Sequence, residues 1–118
     1  MPTGPRLKVL FVCSRNRWRS PTAERLYRDD ARLEVRSAGL RPDANRRLSE
    51  SDLTWADLVF VMEREHRTLV RERYASVAVP VIIVLDVPDE YQYMDPALQE
   101  ALRSAIDPEL ERFIQDFT

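Results

Sequence analysis

The stretch LFVCSRNRWRSPTAERLY, residues 10–27, sets the only cysteine of the chain, Cys13, at the end of an apolar run and follows it with Arg15, Arg17 and Arg19. A loop running from a strand end into a helix N-terminus turns several backbone N–H groups into one concavity, where the helix dipole also favours negative charge. Such a setting favours a thiolate over a thiol, and the same concavity suits a phosphate dianion. Arg19, held by the first helical turn, offers bidentate hydrogen bonds to two phosphate oxygens, a planar geometry that lysine lacks. The spacing from Cys13 to Arg19 therefore sets a nucleophile beneath a phosphorus atom and a guanidinium beside its equatorial oxygens. Ser20 adds a hydroxyl that can donate to the sulfur, and Asn16 tolerates the left-handed backbone of a tight turn.

Other chemistries are disfavoured by what the chain lacks. One cysteine and one histidine cannot supply the ligands of a zinc site, and one cysteine cannot close an internal disulfide; no cofactor is expected. His66 lies in EREHRTLVRERY and reads as an exposed side chain on a charged helix, which leaves little room for a Ser-His-Asp or Cys-His machine. The net charge of −2 argues against a general nucleic-acid binder. The longest apolar run, around Val81–Leu85, is far short of the ~20 residues that cross a bilayer. No small-residue cleavage pattern follows the N-terminal apolar stretch. The expectation is a cytoplasmic monomer without membrane or nucleic-acid partners.

Strand-like and helix-like segments alternate along the chain, which at 118 residues suits one domain, 1–118, with one core. The segment 7–12 (LKVLFV) predicts a buried parallel strand. A helix is predicted from Ser20 as N-cap with Pro21 at its first position, its apolar contacts from Ala23, Leu26, Tyr27 and Ala31. Segments 33–37, 58–62 and 79–85 give three further strands, with Pro80 at the start of the last, where a missing N–H is tolerated. Between them come a short helix opened by a Ser49–Asp52 capping box and the helix that carries His66. Asp95-Pro96 predicts the start of a final helix, kinked or restarted at Asp107-Pro108. The fold class is thus α/β, a four-stranded parallel sheet with helices on both faces, a Rossmann-like three-layer arrangement. Ligands bind at the carboxyl ends of such strands, where both Cys13 and Asp86 should lie.

At Cys13, Asn16, Arg19, Ser20 and Pro21, preceded by an apolar strand, the chain resembles the signature loop of the low-molecular-weight protein tyrosine phosphatases. The resemblance continues through Ser37-Ala38-Gly39, through ADLVFVME (56–63) and to an aspartate after the last strand, and is similar to a short bacterial branch described as predicted tyrosine phosphatases. It implies the phosphotyrosine protein phosphatase I-like fold and a metal-free hydrolysis of phosphomonoesters, on phosphorylated protein or a small substrate. In that scheme Cys13 forms a phosphocysteine, Arg19 and the loop bind the phosphate, and an aspartate protonates the leaving oxygen. Asp86 is the candidate by strand position, with Asp89 second; Asp95 is accounted for as a helix cap. The phosphate-binding set is Ser14, Arg15, Asn16, Arg17, Trp18 and Ser20.

The chain departs from the family pattern where Arg15, Arg17 and Trp18 replace glycine, an aliphatic residue and a second cysteine. Without that cysteine an oxidised Cys13 has no partner for a protective disulfide. The extra arginines make the rim more cationic, and Trp18 can form an aromatic wall or cover the first helix. The stretch from Gly39 to Ala56 is shorter than in the family, which carries a substrate-facing aromatic loop there. Two other functions use the same cradle. A non-catalytic module for phosphorylated protein needs Arg19 but neither Cys13 nor Asp86, and a cysteine phosphoryl carrier gives no reason for the Arg19–Ser20 pairing.

Overall fold

A computed structural model describes residues 5–117, so that residues 1–4 and Thr118 of the expected domain lie outside the described residues. In chain order the elements are β1 (Leu7–Cys13), α1 (Arg19–Tyr27), β2 (Leu33–Gly39), α2 (Glu50–Trp55), β3 (Leu58–Val61), α3 (Arg64–Arg73), β4 (Val81–Val84) and α4 (Pro96–Phe117). The four strands form one sheet in the order β2-β1-β3-β4, and every pairing is parallel. This is the α/β arrangement that the alternating segments predict.

Side chains alternate across a strand, and β1 shows how that alternation builds two cores. Leu7, Val9, Phe11 and Cys13 face one layer, packed with Ala23 and Tyr27 of α1 and with Leu98, Leu102, Ile106 and Leu110 of α4. Leu10 and Val12 face the other, with Leu53 of α2 and Val70 of α3. Phe11 and Phe60, fully buried and stacked with ring centroids 5.7 Å apart, each contribute roughly 1.5–3 kcal/mol of burial. The parity of β1 puts Cys13 on the α1/α4 side, directly below the start of α1.

The boundaries differ from expectation where tertiary contacts compete with local preference. Helix α1 begins at Arg19 with Trp18 as N-cap, two residues earlier than a Ser20 cap would give, and the Ser20 hydroxyl is engaged with the sulfur instead. Ala31 lies beyond that helix and is exposed. The predicted capping box of α2 is present, with Asp52 Oδ2 accepting from the Ser49 N–H at 3.1 Å. Strand β4 spans only Val81–Val84 at the sheet edge. Helix α4 runs unbroken through Pro108, held by its buried stripe from Leu98 to Leu110.

Candidate active site

The loop between β1 and α1 is built from the sulfur outward. Cys13 Sγ accepts the Asn16 backbone N–H at 3.2 Å, because Asn16 turns the chain in the left-handed region with φ 53°. The Asn16 side-chain amide donates to Ser20 Oγ and to Ser37 Oγ, each at 2.9 Å. Ser37 in turn donates to Glu24 Oε1 at 2.6 Å. Ser20 Oγ, which accepts from Asn16, lies 2.9 Å from Cys13 Sγ and 3.5 Å from the Ala38 carbonyl oxygen, to which its hydroxyl can donate. A thiolate at Cys13 therefore has two donors within reach, the Asn16 N–H and the Ser20 hydroxyl.

The segment after β2 clamps the loop from its other side. The backbone N–H groups of Leu40, Arg41 and Asn45 donate to the carbonyls of Cys13, Ser14 and Arg15 at 3.1, 2.9 and 3.0 Å. Asn45 Nδ2 donates to the Asn16 carbonyl at 3.0 Å. These bonds engage the loop's carbonyls from the side of that segment, while the Asn16 N–H points to the sulfur, the polarity an anion requires.

Arg19 is buried at the first turn of α1. Its Nη1 donates to Glu63 Oε2 at 2.7 Å and to the Val87 carbonyl at 2.8 Å, while Nε lies 3.7 Å from Asp89 Oδ1. Both short contacts fall on one nitrogen, so the guanidinium is fixed in orientation and its Nε–Nη2 edge stays clear of them. Sequence reasoning gave no role to Glu63, which follows the apolar run of β3 and reads there only as a helix start.

Cys13, Arg15, Arg17, Trp18, Arg19 and Asp89 line one small pocket that opens to solvent. Ser14, Asn16 and Ser20 lie behind that lining and hold the loop's shape. Asp86, expected here by strand position, is not among the lining residues. It is exposed and faces a neighbouring groove with Glu63, Arg64, Glu65, Val87 and Pro88. The reason is its backbone: Asp86 sits at φ 56°, between Leu85 and Val87, whose N–H groups are fixed to the Val61 and Met62 carbonyls at 2.9 and 3.0 Å. Arg19 then pins the Val87 carbonyl, and Asp89, two residues on, overhangs the guanidinium.

His66 corrects the expectation of an exposed surface residue: it is 3% exposed. Burial, and secondarily the charge of Arg19, lower its pKa from 6.5 to about 4, against the opposing pull of Glu63 and Asp89. Its Nδ1 accepts the Glu63 N–H at 3.1 Å, so the neutral ring carries its proton on Nε2 and donates to Ser14 Oγ at 2.9 Å. The single histidine thus ties the start of α3 to the β1–α1 loop. Its position on a face otherwise rich in charge hides this role from a reading of periodicity. Among the described residues no group of three or more His, Cys, Asp or Glu side chains is placed to hold a metal.

No protein-family profile matches the chain, and a search of curated protein sequences finds no match. Solved structures do match. YfkJ from Bacillus subtilis is 21% identical with a TM-score of 0.74, covering 99% of this chain and 100% of its own. The Drosophila arginine phosphatase DARP is 25% identical with a TM-score of 0.68, over 95% of this chain and 98% of its own. A low-molecular-weight phosphotyrosine phosphatase from Vibrio cholerae is 21% identical with a TM-score of 0.68, over 91% and 96%. The chain has the low-molecular-weight phosphotyrosine phosphatase fold that its Cys13–Pro21 stretch suggests.

Proposed function

We propose that the chain is a phosphomonoester hydrolase that works through a phosphocysteine on Cys13. The observation that carries this reading is the sulfur itself, with the Asn16 N–H donating to it at 3.2 Å and Ser20 Oγ 2.9 Å away, lining a pocket shared with the fixed guanidinium of Arg19. A module that only bound phosphate would have no use for a nucleophile so oriented.

In the first step the Cys13 thiolate attacks phosphorus, the S–P bond forms and the P–O bond to the leaving group breaks. The loop N–H groups and the Nε–Nη2 edge of Arg19 stabilise the equatorial oxygens, each well-aimed donor contributing on the order of 10²–10³ in rate. Asp89, in its acid form, gives its proton to the departing oxygen. In the second step water attacks phosphorus, the Asp89 carboxylate takes its proton, and the S–P bond breaks to release phosphate and return the thiolate. Asp89 takes the role in preference to Asp86 because it lines the pocket of the sulfur. The substrate is a phosphorylated protein or a small phosphomonoester, and the enzyme acts as a cytoplasmic monomer without membrane or nucleic-acid partners. That no described helix is long and apolar enough to cross a membrane accords with this.

The test is rapid quenching of the reaction with labelled aryl phosphate, peptide mapping for phosphocysteine, and parallel measurement of phosphate release. Label on Cys13 together with steady release supports the hydrolase; label without release identifies a carrier, and neither identifies a binding module. The Cys13→Ser variant is expected to lose turnover by several orders of magnitude while still binding phosphate or vanadate. Unchanged turnover in that variant would eliminate the covalent step.

A further inference from the structure

We infer that the preferred substrate is an aryl phosphate carrying additional negative charge close to the phosphorylated ring, as in a phosphotyrosine flanked by acidic residues. The inference rests on the hydrolase reading and concerns the rim of the same pocket.

Three guanidiniums and one carboxylate line the pocket. Arg19 is committed to the phosphate position by Glu63 and Val87. Arg15 and Arg17 are different: both are exposed, and neither forms an ion pair among the described residues. The acid whose ionisation feels Arg15, Asp43, is bound to Arg41 at 3.0 Å. Two free cations therefore stand at the mouth of a site whose deeper cation is enough for the phosphate. A single phosphate dianion at the pocket floor has its oxygens taken by the loop and Arg19, which leaves Arg15 and Arg17 for anionic groups further along the substrate.

Trp18 supplies the aromatic part. It is 40% exposed and lines the same pocket, its backbone held at the helix start by the Thr22 N–H donating to the Trp18 carbonyl at 3.0 Å. An exposed indole on a fixed backbone offers an offset-stacked or edge-on face to a substrate ring. A phosphorylated arginine fits this rim less well, since its own guanidine would lie beside Arg17 and face like charge.

Each exposed charge pair is worth little, a few-fold in equilibrium terms, and two acting together give about tenfold. The experiment compares kcat/KM for phosphotyrosine peptides bearing two flanking glutamates, two alanines or two lysines, and for a phosphoarginine peptide of the alanine type. At low ionic strength the glutamate peptide is expected to exceed the lysine peptide by about tenfold, with the alanine peptide between, and raising salt should shrink the ratio. In Arg15→Gln/Arg17→Gln the ratio should fall to about twofold or less. Because the readout is a ratio of substrates on one preparation, any loss of folded protein cancels. Equal rates on the three tyrosine peptides, a ratio that persists in the double variant, or a preference for phosphoarginine would overturn the inference and leave the hydrolase standing. Absence of turnover on every peptide and on p-nitrophenyl phosphate would overturn both.

Discussion

Asp89 and Asp86 stand three residues apart, yet only one shares a pocket with the sulfur. Their separation makes a sharp expectation. Asp89→Asn should lower kcat by ~10²–10⁴ for a poor leaving group such as an alkyl phosphate, and by much less for p-nitrophenyl phosphate, whose oxygen leaves without a proton. Asp86→Asn should change either rate by no more than a few-fold. The reverse dependence on leaving group would return the acid to Asp86. The contrast also marks what a sequence carries at this scale. The stretch from Cys13 to Ser20 is contiguous, so residue type and spacing were enough to foresee the Asn16 turn and the meeting of Cys13 and Arg19 in one pocket. The two aspartates lie in a segment where one positive φ at Asp86 accompanies the turning of Asp89, and not Asp86, toward the pocket of Cys13, and no residue type announces that angle. His66 was hidden for a similar reason: its partners, Ser14 and the Glu63 N–H, are supplied by folding and not by its neighbours in the helix.

Between elements, the junction of β1, β2 and the segment that follows β2 sets the shape of the loop. Gly39 pairs with Cys13 across the sheet, donates to the Arg46 carbonyl and accepts from the Leu48 N–H, both at 2.8 Å. A Cβ there would lie 2.6 Å from Ala44 Cβ, 2.8 Å from the Ser14 carbonyl oxygen and 2.9 Å from the Arg15 carbonyl carbon. Two of these are backbone atoms of the β1–α1 loop, which cannot yield without moving the loop. Gly39→Ala is therefore expected to cost about 1–3 kcal/mol of stability, read from urea unfolding. It should also lower kcat/KM on an aryl phosphate by more than tenfold where the protein remains folded. Full activity in a folded variant would show that the loop tolerates displacement. Element order and the parallel sheet were legible because β1, β3 and β4 are short apolar runs and because α2 and α4 begin at recognisable caps, Ser49 and Asp95. The clamp from Leu40 to Leu48 was not, since it is held by backbone bonds from a polar stretch with no periodic pattern.

Taken as a whole, the molecule stacks two helical layers on one sheet and draws both toward a single loop: α1 carries Arg19 and Ser20 from one face, α3 carries His66 from the other. Global stability should accordingly report on His66. Its folded pKa of about 4 lies below the ordinary 6.5, so between those values the unfolded chain binds a proton that the folded chain does not. By linkage the contribution is fully present above pH 6.5 and is lost as pH falls toward 4, amounting to about 3 kcal/mol across the interval. Carboxylates act lower. At Asp52, burial works against ionisation, but hydrogen bonds from Arg46 and the Ser49 N–H outweigh it and hold the pKa below 3.8; Asp30 is lowered chiefly by its hydrogen bond with Arg32. Their contributions are lost only as pH falls below about 4, which keeps the two windows apart. Urea unfolding at constant ionic strength should show wild-type stability declining steadily from pH 6.5 to 4.5. In His66→Asn, which keeps an amide near Ser14 but cannot titrate, stability should be lower at pH 7 and nearly flat over the same interval. If the wild type were flat as well, the ring would be taking up its proton in place, and the tie from α3 to the loop would survive with a charged histidine that could no longer accept the Glu63 N–H.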